Sequence, residues 1–141
     1  RQKVSYSSSS LGQLILESTK IYVREILKLI QNNLVSGLAN ITGGAFTKLK
    51  RITKGKIGFK LKLPKPNNLF INLQEWGEID TNEMYRTFNM GIGFCIVAPS
   101  ENESEMIKIC KENKTKAKVI GYTTKEKEVE IETYDDEKIV F

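Results

Sequence analysis

The sequence has no histidine, and among its 141 residues there are only two cysteines, three prolines and one tryptophan. Without histidine the chain cannot contain a Ser-His-Asp triad, a Cys-His dyad, a histidine metal ligand or a histidine general base. Cys95 and Cys110 are not in CxxC spacing, which speaks against a structural zinc site and a disulfide scaffold, and the expected compartment is reducing, hence cytoplasmic. No apolar run approaches the roughly 20 residues of a membrane-spanning helix. What is there is ordinary for a globular domain: 40% of residues are apolar and 28% charged, and the length suits a single domain. The first residue is Arg1 rather than methionine, which fits an interior piece of a longer protein. Ser7 to Ser10 is a serine run, so residues 1–10 are read as a flexible linker and 11–141 as the domain.

Charge is unevenly placed. Residues 1–74 carry 13 Lys/Arg against two acids, and residues 75–141 carry nine against 15, so a net +11 is followed by −6. Lys48, Lys50, Arg51, Lys54, Lys56, Lys60, Lys62 and Lys65 follow one another with no acid between them. Such a run is either an anion site or a solvated face. Only Phe59 interleaves it, which is thin for stacking on single-stranded nucleic acid.

Hydrophobic spacing gives the elements. Leu11 to Leu16 reads as a short turn or helix. Thr19 to Asn33 reads as a helix with Val23, Ile26, Leu27, Ile30 and Leu34 on its buried face. Val35 to Ile41 reads as a strand and Ala45 as the start of a short helix. Ile57, Phe59, Leu61 and Leu63 alternate with Gly58, Lys60 and Lys62, a half-buried strand. Asn68 to Trp76 reads as a helix with Leu69, Phe70, Leu73 and Trp76 inward and Gly77 as its C′ glycine. Asp80 with Glu83, and Ser100 with Glu103, have capping-box spacing. Between them Gly91 to Ala98 is a strand whose unbroken apolar run predicts a central position. The helix after Ser100 turns Met106, Ile109 and Cys110 inward. Lys118 to Tyr122, Val129 to Thr133 and Lys138 to Phe141 are strands. Helices and strands mix without alternation, so the class is α+β, a mixed β-sheet flanked by helices.

Thr42-Gly43-Gly44-Ala45 stands between a strand and a helix. Exposed main-chain N–H groups there attract anions, and glycines let a phosphate approach; the same order also makes a tight turn with no ligand. Gly91-Ile92-Gly93 precedes a strand rather than joining a strand to a helix, which excludes a dinucleotide fingerprint. Cys95 and Cys110 read as small buried hydrophobes.

The run Glu83-Met84-Tyr85-Arg86-Thr87-Phe88-Asn89-Met90-Gly91-Ile92-Gly93 resembles the EMYRTFNxGxGM signature of the phosphoribosylformylglycinamidine cyclo-ligase family, also called aminoimidazole ribonucleotide synthetases. Thr19-Lys20-Ile21-Tyr22-Val23 resembles that family's PTRIYV, Ala39 to Ala45 its AHxTGGG, and Ile120-Gly121 its late IG strand. Asn40 stands where the family has histidine, Ala45 where it has a third glycine, and Ser18 where it has proline.

The resemblance implies a C-terminal domain whose N-terminal partner domain supplies most ATP and Mg²⁺ contacts and the homodimer interface. The implied reaction is the ATP-driven closure of formylglycinamidine ribonucleotide to aminoimidazole ribonucleotide in purine biosynthesis. The implied binding residues for this small-molecule ribonucleotide are Asn40, Thr42, Gly43, Gly44, Arg86 and Asn89. No catalytic residue is assigned, no metal ligand is expected, and this chain alone is expected to hold no cofactor and to be inactive. Neither a membrane nor nucleic acid is an expected partner. Two rival readings stay open: a polyanion-binding module built on Lys48 to Lys65, and a non-catalytic interaction domain that pairs with a separate N-terminal half.

Overall fold

The structure, a computed structural model, describes residues 11–141. The linker expected over residues 1–10 lies outside the described residues. Strand β1 (Gly37–Asn40) pairs antiparallel with β3 (Phe94–Val97), Gly37 opposite Val97 and Asn40 opposite Phe94. This ribbon separates two apolar cores. Successive strand residues face opposite ways. Ala39, Cys95 and Val97 therefore pack into the larger core, with Ile41, Phe46, Leu49, Met84 and Tyr85. Ile96 packs from the other face against Leu29, Leu34, Ile109 and Cys110. The expectation of a central strand is corrected here: β3 belongs to a two-stranded sheet. Its run is apolar on both faces because a core covers each of them.

The second sheet contains β2 (Gly58–Lys62), β4 (Gly121–Thr124), β5 (Val129–Glu132) and β6 (Lys138–Val140) in the order β4-β2-β5-β6. Strand β2 runs parallel to β5, and the other neighbours are antiparallel. Phe59, Leu61, Val129, Ile131 and Ile139 line its buried face in the larger core. On the other face Lys60 is in register with Glu130, and Lys62 with Glu132. Alternation in β2, β5 and β6 follows the sequence pattern. Strand β4 begins three residues later than Lys118, with Ile120 tied in by its carbonyl, which accepts from Lys62 N–H at 2.7 Å.

The helices are α1 (Leu11–Ile15), α2 (Val23–Gln31), α3 (Leu49–Ile52), α4 (Asn68–Gly77), α5 (Thr81–Thr87) and α6 (Glu103–Glu112), with a 3-10 turn at Ala45–Lys48 leading into α3. Helix α6 turns Ile109 and Cys110 inward as expected, while Asp80 caps α5 by accepting from Asn82 N at 2.8 Å and Glu83 N at 3.4 Å. Several expectations are corrected. Helix α2 starts at Val23, because Tyr22 stays outside it and sets its ring 5.4 Å from that of Phe94. Its buried residues are Glu25 and Leu29, whereas Val23, Leu27 and Ile30 are exposed. Trp76 is 49% exposed rather than inward. Gly77 is the last residue of α4, and the left-handed residue is Glu78 (φ 48°). A Cβ on Gly77 would come within 2.9 Å of Ile79 Cγ1, so close approach is what that glycine permits. Ser100 makes no cap: a 3-10 turn over Ser100–Asn102 precedes α6, and the Ser100 hydroxyl donates to Glu101.

Candidate functional site

The two stretches with the most distinctive sequences meet at one end of the β1–β3 ribbon. Asn40 closes β1 opposite Phe94, and the next N–H, that of Ile41, donates to Gly93 O at 3.0 Å. Segments 40–45 and 89–93 thus leave the same ribbon end. A third stretch joins them through Tyr22: a Cβ on Gly93 would lie 2.0 Å from the Tyr22 hydroxyl oxygen. Burial, and then the nearby Glu25 carboxylate, hold the Tyr22 phenol above its ordinary value.

Thr42, Gly43 and Gly44 are exposed at this end. Ala45 N–H donates back to Thr42 O at 2.7 Å, and Gly44 adopts φ 83°, so the turn is tight and left-handed where a side chain would strain it. The Thr47 hydroxyl donates to Gly44 O at 2.5 Å. Lys48 folds back over the turn and its Nζ donates to Thr42 Oγ1. Apart from its chain neighbours, nothing stands within 4 Å of where a Gly43 Cβ would be. The surface beside Gly43 is therefore open, with a hydroxyl and an ammonium near it. That is chemistry for an anion: exposed glycine main chain admits it closely, and the lysine balances its charge. Ala45, the departure from the family's third glycine, has φ 38° and a fully buried methyl in the larger core.

The remaining candidates sit differently. Asn40 is exposed at the ribbon end. Asn89 Oδ1 accepts from Gly91 N at 3.0 Å, shaping the turn that leads into β3. Arg86 is exposed near the end of α5, its guanidinium 5.7 Å from the centre of the Phe141 ring. Tyr85, its neighbour in sequence, packs the other way, 6.5 Å ring to ring from Phe46 beneath the turn. The structure thus brings Asn40, Thr42, Gly43, Gly44 and the Asn89 turn to one ribbon end and joins Arg86 to the C-terminal strand. Sequence reasoning missed Lys48 and Tyr22 as site neighbours. Lys48 was one of a run of lysines, and its six-residue offset across a glycine turn was the available signal.

Burial pushes the Cys95 thiol up to about 12, and raises Cys110 as well. The Tyr85 phenol is pushed up to about 12 by burial first and then by Asp135. Among the described residues no three His, Cys, Asp or Glu side chains gather as a metal-binding group, and no helix is long and apolar enough to cross a membrane.

The chain is similar to a protein named phosphoribosylformylglycinamidine cyclo-ligase in Methanocaldococcus jannaschii, 40% identical over 121 residues, which are 84% of this chain and 34% of that protein. The protein of the same name in Methanothermobacter thermautotrophicus is 43% identical over 136 residues, 94% of this chain and 39% of that protein. The chain therefore spans little more than a third of these relatives. A chain in the crystal structure of a HypE-HypF complex has a similar fold, with a TM-score of 0.65 at 20% identity, covering 92% of this chain and 46% of that one. The family pattern described as "AIR synthase related protein, C-terminal domain" matches residues 1–133, and on that match the chain belongs to the AIR synthase related family, as its C-terminal domain.

Proposed function

We propose that this chain is the C-terminal domain of an ATP-dependent cyclo-ligase that converts formylglycinamidine ribonucleotide to aminoimidazole ribonucleotide, ADP and phosphate. Its own share of the site is an anion cradle at Thr42-Gly43-Gly44 for a phosphate of the ribonucleotide. The observation that carries this reading is the meeting of the family-like stretches at one ribbon end, where Asn40 faces Phe94 and Ile41 N–H reaches Gly93 O. Lys48 and Thr42 supply the charge and the hydroxyl, and the exposed main chain at Gly43 supplies room. Arg86 is the further cation of the signature, available to neutralise charge that develops on phosphoryl transfer. Asn89 holds the turn. Asn40, in the place of the family histidine, donates and accepts hydrogen bonds but carries no proton near neutral pH.

ATP, when bound, supplies the activating phosphoryl group. Following the family resemblance, Mg²⁺ and most ATP contacts are assigned to the part of a longer protein that this chain does not span. The chain alone is then inactive, and the longer protein is a cytoplasmic homodimer. The polyanion reading loses support from the ion pairs: Lys60 meets Glu126 at 3.2 Å and Glu130 at 3.6 Å, and Lys62 meets Glu132, with Asp136 at 3.7 Å. Two of the eight cations of that run, Lys60 and Lys62, are thus matched by acids of the chain's second half.

The test is steady-state turnover of the longer protein carrying Gly44→Val or Lys48→Gln, with circular dichroism to confirm folding. A raised KM for the ribonucleotide, or lost turnover, is expected for both variants. Wild-type kinetics in folded variants would reduce the segment to a turn.

A further inference from the structure

Helix α2 carries an apolar arc that the chain covers only in part. At about 100° per residue, Leu29, Ile26, Ile30, Val23 and Leu27 follow one another round the helix in that order. Leu29 is fully buried and Ile26 half-buried, both against α6 residues in the smaller core. The far half of the arc faces outward: Val23 is 57% exposed, Leu27 51% and Ile30 45%. Ile21, just before the helix, and Ile15 and Leu16, at the end of α1, are also exposed. The arc spans about 160° of the helix, and the apolar stripe of an amphipathic helix normally lies against other apolar surface along its whole width. Next round the helix beyond Leu27 come Gln31, Arg24 and Lys28, all exposed, so this rim is basic.

We infer that the Val23–Leu27–Ile30 face of α2 docks onto the part of the longer protein that this chain does not span, and that the surface it meets there is apolar with an acidic rim facing Arg24 and Lys28. The inference rests on the reading of the chain as one domain of a longer protein, and it adds the residues of the contact and the chemistry of the partner. Three observations favour this occupant. The relatives extend well beyond the match, which takes up only 34% to 39% of their length, so a body large enough to cover the face exists in such proteins. A second copy placed symmetrically on the face would set Arg24 and Lys28 against their own like charges. Residues 1–10 contain no acid and only Val4 and Tyr6 as large apolar residues, a poor match for a basic-rimmed aliphatic face. The exposed aliphatic area is on the order of several hundred Å², the scale of one side of an inter-domain interface.

The experiment places a single reporter on the face. Leu27→Cys is made in the 141-residue chain and in a longer protein in which this chain replaces the matching stretch of the Methanothermobacter relative. Thiol labelling is timed in both. Cys95 and Cys110 are buried and give a slow background, and Lys125→Cys is the exposed control. Leu27→Cys is expected to label as fast as the control in the short chain and at least roughly tenfold more slowly in the long one. Adding Arg24→Glu and Lys28→Glu to the long protein is expected to restore fast labelling. Equal rates in short and long proteins would overturn the inference. So would protection in the short chain, which points to a second copy if it grows with concentration and to residues 1–10 if it does not. Folding of the long protein is not the only recourse. In the short chain Leu27→Glu with Ile30→Glu is expected to leave the thermal midpoint unchanged, and a large drop would show that the face is packed within the chain. Labelling does not depend on turnover, so an inactive long protein that protects Leu27→Cys would contradict the proposed reaction while supporting the interface.

Discussion

A methyl group built on Gly93 would lie 2.0 Å from the Tyr22 hydroxyl oxygen and 2.9 Å from the ring carbon that bears it. The ring is held in turn by Phe94, at 5.4 Å between centroids. The glycine that ends the signature run and the tyrosine before α2 are thus one packing unit. It joins the smaller core's helix to the ribbon end where the candidate site lies.

Gly93→Ala is expected to destabilise the chain by about 1–3 kcal/mol, the usual cost of overpacking. Tyr22→Phe, which removes the nearest atom, should return part of that loss in the double variant. Denaturant midpoints of the four proteins in this cycle check it. An additive cycle would mean that the two residues do not press on each other.

Tyr85 is 1% exposed and its hydroxyl is buried without a hydrogen-bond partner among the described residues. An unpartnered buried hydroxyl is a net cost. Tyr85→Phe should therefore keep stability or raise it by up to about 1 kcal/mol, read as a shift in the denaturant midpoint. A clear loss of stability would show that the hydroxyl has a partner, such as a bound water.

The outer face of the second sheet sets a pH dependence. The hydrogen bond with Lys62, and then its charge, hold the Glu132 carboxyl below the ordinary carboxylate value, and the same contact raises Lys62. A lowered acid stabilises the fold above the ordinary carboxylate range and loses that effect as pH falls through the lowered value. A raised lysine stabilises below the ordinary lysine range and loses it only in strong alkali. The difference in midpoint between wild type and Glu132→Gln should therefore be small at neutral pH, vanish in acid and shrink with added salt, because the pair is exposed. A difference that persists in acid would contradict this.

Much of the frame was legible in the sequence for local reasons. Phe59 and Leu61, and Val129 and Ile131, alternate with charged residues because one face of their sheet is wet. Asp80 announces α5 because its side chain bonds the first N–H groups of that helix. Three features were not legible. The unbroken run in β3 is what a strand between two cores requires, and one sequence cannot distinguish that from a strand in the middle of a sheet. The arc of α2 was visible, but not which half of it the chain itself covers. Lys48 became a neighbour of Thr42 only when Gly44 took a left-handed conformation and turned the chain back. At the site, Thr42, Gly43 and Gly44 were readable as a tight, exposed turn between a strand and a helix. The bond from Gly91 N–H to Asn89 and the placement of Arg86 over Phe141 depend on tertiary contacts that no spacing encodes.

The most direct measurement of the central claim uses Gly43, because there the proposed anion cradle can be altered without disturbing the fold. Its φ lies outside the left-handed region, and beyond its two chain neighbours no atom stands within 4 Å of a Cβ built on it. Gly43→Ala should therefore leave the denaturant midpoint of the longer protein unchanged while its methyl takes up open surface at the turn, which under the proposed function is space for the phosphate. Titration of wild type and variant with formylglycinamidine ribonucleotide should show binding weakened by about 1.5–3 kcal/mol, roughly ten- to a hundredfold, the loss of one charge-assisted hydrogen bond. Equal affinity in two equally stable proteins would contradict the account and leave Thr42-Gly43-Gly44 as a turn with no ligand.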